Sequence, residues 1–177
     1  MEDSPEKLHD LAKVAYLAGN FDSAADLFLA SEMAYKNSDD LLMAAEMTNN
    51  RSVALLQAGH AEAALEASLD THLIFAEAGD TLREGYALGN QAAALKELGQ
   101  KNKSLKFYKL SAEKLASTGD KENLALVQKT IAALEIESGN TINAMGAMLD
   151  SLRSKEKLTM REKIMRKLFS TVSRLMP

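Results

Sequence analysis

Cysteine and tryptophan are absent from the 177 residues, and proline occurs twice, phenylalanine five times and tyrosine four times. Without cysteine there is no disulfide framework, no thiolate metal site and no cysteine nucleophile. So little proline and so few aromatic residues in a chain rich in Ala and Leu favour helices over a sheet. No apolar run approaches the roughly 18 residues of a membrane span. The opening Met1-Glu2-Asp3-Ser4-Pro5 lacks the basic and apolar regions of a secretory signal. The expectation is a soluble, cytoplasmic protein.

The signatures of common catalytic sites are missing as well. His9, His60 and His72 stand in no H-E-x-x-H pair. There is no G-x-x-x-x-G-K-[ST] phosphate loop and no G-x-S-x-G nucleophile elbow. The acidic residues lie on amphipathic stretches, where they ordinarily form solvated faces. These absences point away from an enzyme, a metal and a cofactor.

What is present is a ruler. Gly19, Gly59, Gly99 and Gly139 are spaced by 40 residues, and so are Asp40, Asp80 and Asp120. Two further columns hold only small residues: Ala12, Ser52, Ala92 and Ala132, then Ala24, Ala64, Ser104 and Ala144. Four columns in phase define an internal repeat. Within a unit the apolar residues follow helical spacing, as in Ala64, Leu65, Leu69, Leu73 and Ile74, and again in Leu88, Ala92, Leu95 and Leu98. The glycines fall where that spacing breaks, as left-handed residues closing a helix do. Asn20, Asp80, Asp120 and Thr141 follow as expected N-caps. Each unit therefore reads as helix, glycine turn, helix and a short Asp-led link. The small columns mark where the two helices of a hairpin cross.

The stretch "YLAGNFDSAADLFLASEMA", with Gly19, Phe21, Ala24 and Phe28, resembles a tetratricopeptide repeat. The third unit keeps Gly99, Ser104 and Tyr108, whereas the second and fourth are more degenerate, with Ala61 and Ser68, then Thr141 and Met148. The likeness covers about residues 5–155 and implies an all-α, right-handed superhelix of four hairpins. The boundaries read about 5–39, 40–79, 80–119 and 120–157, with a further helix over 158–177, nine helices in all. The usual period of that family is about 34 residues. Forty, with no proline between Pro5 and Pro177, implies longer helices, similar to those of kinesin light chains and cell-polarity adaptors.

Asp10, Asn50, Asn90 and Thr130 lie about 200° around the first helices from the small column. In the resembled family this face lines a concave groove that holds an extended peptide. The likeness implies that Asn50 and Asn90 grip peptide backbone, an amide offering donors and an acceptor together. Glu46, Tyr86 and Lys129 stand in neighbouring columns that would tune specificity. The plainer alternative has these amides solvating a helix face. At the positions that match the family's clamp for carboxyl-terminal tails stand His9, Asn50, Tyr86 and Asn90, with only Lys13 basic, so such a clamp is not expected.

Charge is uneven. Residues 151–177 carry eight Lys/Arg against two Glu, a net +6, leaving 13 against 23 over 1–150, a net −10. In the tail, Ile164, Met165, Leu168, Phe169, Val172, Leu175 and Met176 fall on one arc, with Lys163, Arg166, Lys167 and Arg174 on the other. The first expectation is a cap over the open end of the fourth hairpin. An anionic membrane, a docked partner, self-association or folding back onto the acidic body are the alternatives. Nucleic acid is not expected, because no aromatic residues interleave with the cations. The functional expectation is a non-catalytic scaffold for a protein segment. Its rivals are a membrane-associated or self-assembling adaptor and a sensor of a small ligand or signalling peptide.

Overall fold

Six glycines (Gly19, Gly59, Gly79, Gly99, Gly119 and Gly139) adopt positive φ, between 70° and 86°, and each closes a helix. The computed structural model describes residues 4–175, without the side chains of Val172, Arg174 and Leu175. Every regular element among them is a helix. The first pair is α1 (Pro5–Leu17) and α2 (Phe21–Asn37), and the second begins with α3 (Leu41–Gln57). Its return arm is divided into α4 (Ala61–Ser68) and α5 (Thr71–Glu77). The third pair is α6 (Thr81–Glu97) and α7 (Lys101–Thr118), the fourth α8 (Lys121–Glu137) and α9 (Thr141–Ser154), and α10 (Met160–Leu175) follows. Among the described residues the count is ten rather than nine, because the return arm of the second pair breaks at Leu69–Asp70.

Helix starts follow the Asp column. The carboxylates of Asp40, Asp80 and Asp120 accept from the backbone N–H of Met43, Arg83 and Asn123 at 3.0, 2.9 and 3.2 Å. Such a cap is worth about 1 kcal/mol. Asn20 occupies the cap position of α2 but makes no side-chain cap bond. The cap position of α9 is Asn140, with Thr141 already the first helical residue.

Helices pack in chain order, each chiefly against its immediate neighbours. The two small columns meet where expected, and all eight residues are buried. At the crossings the Ser52 hydroxyl donates to the Ala64 carbonyl, and the Ser104 hydroxyl to the Ala92 carbonyl, both at 2.8 Å. One small column thus bonds directly to the other, an approach that larger side chains would block. The core is divided along the chain. Ala12, Ala24, Phe28, Tyr35 and Met47 form one cluster, Ala45, Phe75 and Ala87 a thin middle one, and Tyr108, Leu115, Leu124, Ile131 and Leu134 lie in a third.

Two expectations about burial need correction. The apolar stripe of the second pair does not stay inside: Leu69, Leu73 and Ile74 are exposed, because the helical register is lost at residue 70. The expected cap is formed only in part. Helix α10 packs on α9 but leaves Met160, Ile164 and Leu168 at 73%, 62% and 57% exposure.

Candidate functional site

Side-chain bonds link the outgoing helices α3, α6 and α8. Arg83 of α6 donates to Glu46 of α3 at 2.8 Å and to Asp80 at 2.7 Å, with its guanidinium 5.6 Å from the centre of the Phe75 ring. The Asn90 amide donates to Asn49 Oδ1 at 2.9 Å. Tyr86 of α6 donates its hydroxyl to Asp120 at the head of α8, at 2.5 Å. Asn123 Nδ2 donates to the same carboxylate at 2.8 Å.

Between the helices lie two clefts. The first, about 520 Å³, is lined by His9, Lys13, Tyr16 and Leu17 of α1, Phe28 of α2, and Glu46, Asn50 and Val53 of α3. Its floor is apolar and its rim polar. Burial lowers the basicity of His9, with the nearby Lys13 acting in the same direction. The His9 ring stands 6.0 Å from that of Phe28. Lys13 is engaged by Asp10 at 2.8 Å and Glu46 by Arg83, so the rim charges are largely matched. The Asn50 side chain makes no hydrogen bond to any described residue. It is the one amide of the two predicted whose donors and acceptor are all open.

The second cleft, about 260 Å³, lies between α6, α7 and α8 and includes Tyr86, Asn90, Asn123, Leu126 and Thr130 in its lining. Beside it, Gly85 and Gly89 let α6 approach α7 closely. A β-carbon at Gly85 would stand 3.0 Å from Leu115 Cδ2, and one at Gly89 3.1 Å from Ser111 Oγ. The Tyr86–Asp120 bond holds the phenol above its usual range and the carboxylate below its own. At neutral pH the pair is therefore a neutral donor on an anion.

The predicted residues thus divide. Glu46 and Asn50 share the first cleft; Tyr86, Asn90 and Thr130 share the second. Asp10 and Lys129 are exposed and line neither. Asn90, Glu46 and Tyr86 are tied to their own chain. Lys163, Arg166 and Lys167 are exposed on α10 and Phe169 is half-buried; the Arg174 side chain lies outside the described residues. Tyr16, Phe28 and Asn123 join the clefts without having been expected there. Asn123 was marked only by its place three residues into α8, the position Arg83 holds in α6.

Among the described residues no group of three or more His, Asp or Glu is placed to hold a metal ion. No helix among them is long and apolar enough to cross a membrane. No protein-family model matches the chain, and no curated protein matches it in sequence.

Proposed function

We propose that the chain is a non-catalytic interaction scaffold of tetratricopeptide type, a right-handed superhelix of hairpins whose hollow side holds an extended segment of a cytoplasmic partner. The observation that carries this reading is the first cleft. It is an open, charge-matched trough with an apolar floor of Tyr16, Phe28 and Val53, the exposed Leu17 at its edge and an unengaged amide, Asn50, on its rim. Such a trough suits an extended peptide that seats one apolar side chain and offers its backbone to the amide. The second cleft occupies the corresponding place two hairpins further on. No cofactor is required.

The volume also falls within the range of small-molecule sites, so a small ligand in the first cleft is the competing reading. The two are separated by selecting binders from a displayed library of random peptides and titrating the best against wild type and Asn50→Ala by calorimetry. We expect Asn50→Ala to weaken a selected peptide about five- to tenfold, the effect of one hydrogen bond, with no change in melting temperature. Enrichment of no peptide, or an affinity indifferent to Asn50, would reject the assignment. Asn90→Ala is the less clean probe, because it also removes the bond to Asn49.

A further inference from the structure

Helix α10 is specified locally. Thr159 and Glu162 form a reciprocal box: the Thr159 N–H donates to Glu162 Oε2 at 2.9 Å, and the Glu162 N–H to Thr159 Oγ1 at 3.3 Å. Lys155 closes on the same carboxylate at 2.6 Å. The one acid of the helix is thereby engaged. Arg161, Lys163, Arg166 and Lys167 are exposed and form no ion pair with any described residue. Met165 and Phe169 turn towards the less exposed side, but Met160, Ile164 and Leu168, spaced four apart, make an open stripe along the helix. By helical angle, Arg161 borders that stripe on one side and Lys163 and Lys167 on the other.

We propose that α10 binds the surface of an anionic lipid bilayer, lying in the plane of the interface. The stripe would enter the acyl boundary while the cations on both flanks reach up to the headgroups, as long basic side chains do at an interface. A helix of 16 residues is about 24 Å long, enough to lie along the surface. A second copy of α10 suits this face poorly, because pairing two stripes would set cations against cations. An acidic protein surface would match the charge but leave the stripe without apolar cover. The proposal does not depend on the clefts, which α10 does not line.

The test is flotation of the full chain with vesicles of phosphatidylcholine, alone or mixed with anionic phosphatidylglycerol. Three proteins are compared: wild type, Lys163→Gln with Lys167→Gln, and Ile164→Ser with Leu168→Ser. Wild type should float with the anionic vesicles and lose that binding at high salt or with phosphatidylcholine alone. The charge variant should bind about fivefold more weakly for each cation removed, and the apolar variant at least about tenfold more weakly. All three should share one melting temperature, since the altered side chains are exposed. Absence of wild-type flotation with anionic vesicles, or flotation unchanged in either variant, overturns the proposal. So does a doubled mass in light scattering without lipid that both variants abolish while none floats, which would assign the face to a second copy.

Discussion

The second and third helix pairs are related residue by residue at a spacing of 40, yet their return arms differ. Helix α7 runs unbroken over Lys101–Thr118, whereas its counterpart divides into α4 and α5. Leu69 is extended (φ −57°, ψ 131°) and Asp70 left-handed (φ 57°). In α7 the buried Tyr108 packs in the third core cluster; the equivalent residue is Ser68, after Phe28 in α2 and before Met148 in α9. The pair with the serine is the pair with the break and the thin core of Ala45, Phe75 and Ala87. A second difference accompanies it. Ser31, Ser111 and Ser151 each donate a hydroxyl bond, at 2.7 to 2.8 Å, to the carbonyl of Pro5, Gly85 and Ala125 at or near the start of the partner helix. Their counterpart Thr71 turns to Ala67 within its own arm, at 3.3 Å. One bulky side chain and one hydroxyl tie distinguish a straight arm from a bent one.

Copying the second pair into the third breaks the comparison most forcefully. Tyr108→Ser removes a buried aromatic and should cost about 3–5 kcal/mol in denaturant unfolding. If the aromatic is what keeps the arm straight, amide protection should also collapse locally around residues 108–110 while the ends of α7 stay protected. Destabilisation with protection lost evenly along α7 would instead trace the bend of the second arm to Leu69–Asp70 itself.

The hydroxyl tie gives a smaller contrast. Ser111→Ala removes a buried bond between two helices and should cost about 1 kcal/mol. Thr71→Ala removes only a long bond within one arm and should cost a few tenths, roughly the scale of local helix preference. Equal losses at the two sites would show that the tie does not distinguish the arms.

Much of this was legible in the residues. The glycine and aspartate columns mark turns and caps because φ > 0 and an N-cap are local demands on one or two residues. The small columns mark the crossings because only small side chains permit them. The bend was not legible: apolar spacing continues through Leu69, Leu73 and Ile74, and nothing within those residues reports that Ser68 leaves its neighbours unfilled. The hydroxyl column Ser31, Thr71, Ser111 and Ser151 was in plain view and, at every member but Thr71, marks a contact 26 residues back. The cleft networks were hidden for another reason. Tyr86 finds Asp120 across 34 residues and Asn90 finds Asn49 across 41, distances that a 40-residue period does not announce.

Acid probes the junction where the third pair meets the fourth. The Tyr86 hydroxyl, then Asn123, hold the Asp120 carboxyl below its ordinary value of 3.8. A depressed carboxylate contributes stability that is fully present above the unfolded value and is lost as pH falls through the folded one. The melting temperature should therefore decline below about pH 4. Tyr86→Phe should flatten that decline, because it removes the largest cause of the shift and leaves the Asp120 cap on Asn123 in place. An acid limb identical in the variant and wild type would show that the pair does not report on this junction.

The smallest effect concerns the bend itself. Among the described residues, Asp39 and Asp70 are the two non-glycine residues with positive φ, 60° and 57°. Asp39 sits in the link between pairs, where its counterparts are Gly79 and Gly119; Asp70 sits inside an arm, where its counterparts are helical. Asp39→Gly relieves the left-handed strain at a position built for glycine and should stabilise by about 0.5 kcal/mol after the added freedom of the unfolded chain is subtracted. If the bend at residue 70 is a fixed feature of the fold, Asp70→Gly should stabilise by a similar amount. If the arm straightens readily, glycine would instead lie within a helix and destabilise by about 0.5–1 kcal/mol. The sign of the Asp70→Gly effect in a urea titration, read against Asp39→Gly in the same buffer, therefore tells a built-in bend from a helix only lightly broken.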